Sequence, residues 1–231
     1  MNDEKAYRLG TCIVIIGEYG RDIYKEYEKE ISRKIKKKYI INMLTEKEND
    51  LIEKNNYQYY IVVGDFKDIN TQMIITKLTA NSKSKKIFLI KNMPFMEEKN
   101  IGIINISRKK NVIKSLEALT YLSIKPGIIC TDEADMWNLV NNRYFHTKSV
   151  KGTMEKVKYT IREIDKINAA EAVLINIVSN NIGLHEINII AETIQKECKP
   201  DSHIVLYYTN AEKMQVGNIE INIIYSLIKS A

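Results

Sequence analysis

Ile128-Ile129-Cys130-Thr131-Asp132-Glu133-Ala134-Asp135 decides how this chain is read, because four patterned segments lie downstream of it. In order they are residues 172–179 (AVLINIVS), 183–191 (GLHEINIIA), 203–208 (HIVLYY) and 219–224 (IEINII). The first, third and fourth are short apolar runs rich in β-branched residues, the pattern of buried strands. The second opens a helix predicted over 184–198. Ahead of them, 132–140 predicts a short helix, 143–147 a short strand and 152–166 a charged amphipathic helix. The sum is a four-stranded α+β unit from residue 126 to the end.

Upstream the pattern is different. Residues 12–16 (CIVII) are an apolar run bounded by Gly17 and predict a buried parallel strand. A helix is predicted over 21–37, where Ile23, Tyr27, Ile31 and Ile35 recur every fourth residue. Strands are predicted near 39–44, 59–63, 86–91 and 101–106. Helices are predicted near 46–54, 70–79 (capped by Asn70 or Thr71) and 111–123, where Val112, Leu116, Leu119 and Leu122 share one side. Alternating strands and helices argue for a mostly parallel α/β sheet. Pro126-Gly127 ends the last helix. A boundary is placed there, giving units of 1–125 and 126–231.

At 231 residues the chain can bury a sizeable core, and 45% hydrophobic with 28% charged residues is ordinary for a globular protein. No signal peptide or membrane-spanning run is present, which gives a cytoplasmic expectation. Three cysteines, Cys12, Cys130 and Cys198, stand far apart without CxxC spacing, so reduced thiols are expected instead of a disulfide frame or zinc site. Residues 1–125 hold 24 Lys+Arg against 16 Asp+Glu, whereas 126–231 hold 11 against 13. A basic half attracts anions, but its clusters lack the interleaved aromatics of a single-strand platform. Nucleic acid is therefore the third reading, not the first.

The order and spacing after Pro126 resemble the C-terminal half of FtsZ, the tubulin-like bacterial cell-division GTPase. Pro126-Gly127-Ile128-Ile129 is similar to the family's PGLIN approach, and Asp132, Ala134 and Asp135 fall on NxDFAD, with Cys130 for Asn and Glu133 for Phe. The segments at 172, 184 and beyond are similar to the family's GVLVNI strand, L-x-E-V/I-N helix and closing strands. The resemblance implies a Rossmann-type parallel-sheet N-terminal domain joined to a four-stranded α+β domain. It also implies that Asp132 and Asp135 are candidate catalytic positions, because in FtsZ this loop reaches the nucleotide of the next subunit and orients the attacking water. A carboxylate can do that chemistry. Asp132 as a helix N-cap, with Asp135 in the first turn, explains the same residues without catalysis, and both readings stand.

The N-terminal half departs where the chemistry is most demanding. Gly17-Glu18-Tyr19-Gly20 stands at the family's glycine-rich first loop, where glycines let backbone N–H groups approach phosphate. The GGGTGTG signature is replaced by Gly64-Asp65-Phe66-Lys67-Asp68, with one glycine left. Met93-Pro94-Phe95 resembles the T-x-P-F turn, and Ser107 stands near the base-contacting Asn. Gly17, Gly20, Gly64 and Ser107 are thus the candidate nucleotide positions that the resemblance implies. A carboxylate about 4 Å from a phosphate charge costs about 4 kcal/mol at an effective dielectric near 20, roughly a thousandfold in affinity.

Three histidines, His146, His185 and His203, sit in different elements without metal-ligand spacing, and no GxSxG, P-loop or GxGxxG is present. The leading expectation is a degenerate FtsZ-like protein, a pseudo-GTPase without a cofactor. It would act through contacts with itself or another FtsZ-like protein, without a membrane anchor of its own. The alternative is an active GTPase that polymerises, binding GTP or GDP with magnesium held by Asp65 or Asp68.

Overall fold

The computed structural model describes residues 9–30, 42–45, 57–80, 84–94, 101–104, 109–124, 139 and 143–227. The predicted helix at 46–54 and nearly all of that at 132–140 lie outside these residues, as does the boundary at 126. Nine strands are described: β1 (Leu9–Ile15), β2 (Asn42–Thr45), β3 (Tyr57–Asp65), β4 (Lys85–Lys91), β5 (Ile101–Ile104), β6 (Tyr144–Gly152), β7 (Ala170–Ser179), β8 (His203–Asn210) and β9 (Ile219–Leu227). The described helices are α1 (Gly17–Glu30), α2 (Ile69–Ala80), α3 (Lys109–Ile124), α4 (Met154–Arg162) and α5 (Leu184–Glu197). No described helix is long and apolar enough to cross a membrane.

All nine strands join one sheet in the order β2-β1-β3-β4-β5-β6-β9-β7-β8. From β2 to β6 every pair is parallel. β9 then runs antiparallel to both β6 and β7, and β7–β8 is parallel again. This is the expected parallel α/β sheet followed by four strands of an α+β unit. The two parts meet edge to edge through Ile103↔Tyr144 and Ile104↔Phe145.

Burial on both faces explains why these strands read as continuous apolar runs. Against α1 and α3 lie Ile13, Ile15, Ile61, Val63, Ile87 and Leu89. The same core takes in Leu174, Val205 and Ile224 from the C-terminal strands. On the opposite face, Val14, Ile16, Val62, Phe88 and Ile90 pack with Ile74, Ile75 and Leu78 of α2. Farther along that face, Val157 and Ile161 of α4 meet Ile190 and Ile194 of α5 over Val173, Ile175 and Ile221.

α3 bridges the two parts. Tyr27 Oη of α1 donates to Thr120 Oγ1 at 3.0 Å, and Tyr207 Oη of β8 donates to the Ala118 carbonyl at 2.5 Å. Lys114 Nζ lies 2.9 Å from Glu117 and 3.1 Å from Glu220 on β9.

Several predicted limits shift. α1 begins at Gly17, not Arg21, so the segment expected as a loop is the first helical turn. β6 runs to Gly152 instead of ending at 147, because its pairing with β9 extends through Lys151↔Glu220 and Gly152↔Ile219. α4 stops at Arg162, and the chain then turns through Lys166 in the left-handed region at φ 58°.

Candidate functional site

In an open α/β sheet a ligand crevice forms beyond the carboxyl ends of the strands where strand order reverses. Here β1 is followed by β2 on one side, while β3, β4 and β5 continue on the other. The crevice therefore lies over the ends of β1 and β3, where Gly17, Gly20 and Gly64 converge.

Each glycine has a packing reason. Gly17 adopts φ +66°, and a Cβ there would collide with the Asp68 carboxylate. At Gly20 a Cβ would stand 2.8 Å from the Val63 carbonyl, so glycine lets α1 lie close on β3. The Ile16 N–H bonds the same carbonyl at 2.9 Å, and the Gly20 N–H bonds Ile16 O at 3.2 Å. At Gly64 a Cβ would meet Thr71 Oγ1 at 2.8 Å. Gly20 and Gly64 are buried.

Asp68 sits immediately before α2. Its Oδ1 accepts the Asn70 N–H at 3.1 Å, and Thr71 Oγ1 lies 3.5 Å from Oδ2. That is N-cap geometry, with a side-chain oxygen on an otherwise orphan helix donor. The predicted cap at Asn70 or Thr71 is corrected to Asp68: both lie inside the first turn and both donate to the Asp68 carboxylate.

Asp65 ends β3 and is bound by its surroundings. Its Oδ1 accepts the Lys67 N–H at 3.0 Å and the Asn92 amide at 2.9 Å, and Lys91 Nζ lies 3.9 Å from Oδ2. Partial burial pulls this carboxyl upward, but the Lys67 N–H, Asn92, Lys91 and the Lys67 charge outweigh it, so its pKa is lowered. Lys91 also stands 5.4 Å from the Tyr19 ring centroid. Burial, then the Asp65 charge, pushes the Tyr19 hydroxyl up to about 12. The turn is locked by Phe66 N–H to Lys91 O at 2.9 Å and Gln72 Nε2 to Phe66 O at 2.7 Å.

Tyr19, Lys91, Asn92 and Gln72 were not among the sequence candidates. Asn92 carried one usable sign, a left-handed-tolerant residue two places before Pro94, and it does adopt φ 58°. Ser107, Asp132 and Asp135 lie outside the described residues. The structure thus brings together Gly17, Gly20 and Gly64 of the six candidates.

The helix end that would receive an anion carries the Asp68 carboxylate, and Asp65 holds the neighbouring donors. Among the described residues no three His, Cys, Asp or Glu side chains are grouped to hold a metal ion.

Solved structures similar to this chain include FtsZ, TubZ and CetZ2. An FtsZ W319Y mutant from M. jannaschii matches with TM-score 0.75 at 11% identity, covering 96% of this chain and 92% of that one. This chain has the FtsZ/tubulin-like fold. The type III plasmid segregation protein TubZ matches at TM-score 0.60 and 8% identity, over 95% and 88% of the two chains. CetZ2 from Haloferax volcanii, in a GTPγS-bound protofilament, matches at 0.57 and 8%, over 94% and 92%. No protein-family model and no curated protein matches the sequence. At such low identity the likeness to FtsZ, TubZ and CetZ2 is one of fold.

Proposed function

We propose that this chain is a divergent FtsZ-like pseudo-GTPase that acts through protein contacts, with itself or with another FtsZ-like chain, in a cytoplasmic filament system. The observation that carries the reading is Asp68. Its carboxylate caps α2 and fills the space beside Gly17, so the helix end already has its anion. A second carboxylate, Asp65, accepts the Lys67 N–H and Asn92 donors that a phosphate oxygen would need. Displacing either by a phosphate means breaking charge-assisted hydrogen bonds and setting like charges side by side.

Self-association is supported by the company of the fold: the structural neighbours include an FtsZ dimer, GDP-form TubZ protofilaments and a CetZ2 protofilament. Sedimentation velocity tests the reading. The pure chain, alone and mixed with assembled FtsZ, is compared with and without GTP and magnesium. Assembly or co-sedimentation indifferent to nucleotide is the expected result. Assembly that appears only with GTP supports the alternative of an active, polymerising GTPase. A chain that stays monomeric and in the supernatant throughout removes the protein-contact role.

A further inference from the structure

We draw no further inference here: the strongest candidate, the narrow cleft between α3 and strands β6 and β9 where Asn222 lies buried with neither amide atom hydrogen-bonded, has no room for a water-sized group, and nothing in the structure shows what would occupy it.

Discussion

Replacing Gly17 by alanine sets a methyl group against the Asp68 carboxylate at a backbone angle, φ +66°, that L side chains rarely adopt. Both effects act in the folded state, so Gly17→Ala should destabilise by more than about 1 kcal/mol in urea unfolding. Asp68→Ala relieves the contact but removes the cap on α2, costing about 0.5–2 kcal/mol. The two residues touch, so their effects should not add, and the double variant should unfold at less than the summed cost. Additivity would mean that Gly17 is held for another reason. The glycines were visible in the sequence, but their partners were not. Gly17 meets Asp68 across 51 positions of sequence, and Asp65 meets Asn92 across 27. Spacing along the chain carries no trace of either contact.

Elements were more legible than residues, for a physical reason. A strand buried on both faces must be apolar throughout, so β1, β3, β4 and β7 stand out from any neighbouring segment. Ends are set by local contacts that compete with periodicity. Two glycines in Gly17-Glu18-Tyr19-Gly20 read as loop, yet smallness at Gly20 is what lets a helix start that close to β3. β6 read as short because Lys148, Ser149 and Lys151 beyond 147 are polar, and only Val150 there is apolar and buried. On β6, His146 lies between the rings of Tyr144 and Tyr225, with centroids 5.9 and 5.8 Å away. Burial, then the Lys166 charge, lowers its pKa, against a smaller upward pull from Asp165. The unfolded chain, with histidine near its ordinary 6.5, therefore binds the proton more readily than the folded one. His146 costs nothing while it is neutral in both states. Its penalty should appear as pH falls through about 6.5 and level off below the lowered folded value. His146→Phe should flatten that part of a stability–pH curve. An unchanged slope would assign it to other groups.

At the scale of the whole molecule, one sheet and one long helix join what the sequence divides near residue 126. Lys114 of α3 sits within reach of Glu117 and of Glu220, which is 8% exposed on β9. Removing the ammonium strands two carboxylates in a half-dry seam, and breaking such a pair from one side costs about 3–5 kcal/mol. Lys114→Met should therefore lower the thermal midpoint sharply as a single transition. Two separated transitions would show that the halves melt independently. The fold was readable at this scale because the C-terminal segments keep a family order. The state of the crevice was readable only in part, through Asp65 and Asp68 standing where glycines are expected.

Calorimetry of GTP and GDP into the pure chain, with and without magnesium, tests the central claim most directly. Two built-in carboxylates at the ends of β1 and β3 predict no heat of binding up to millimolar nucleotide, in either condition. Saturable binding tighter than about 100 μM, an interaction of about 5.5 kcal/mol, would contradict the account and restore the crevice as a working nucleotide site.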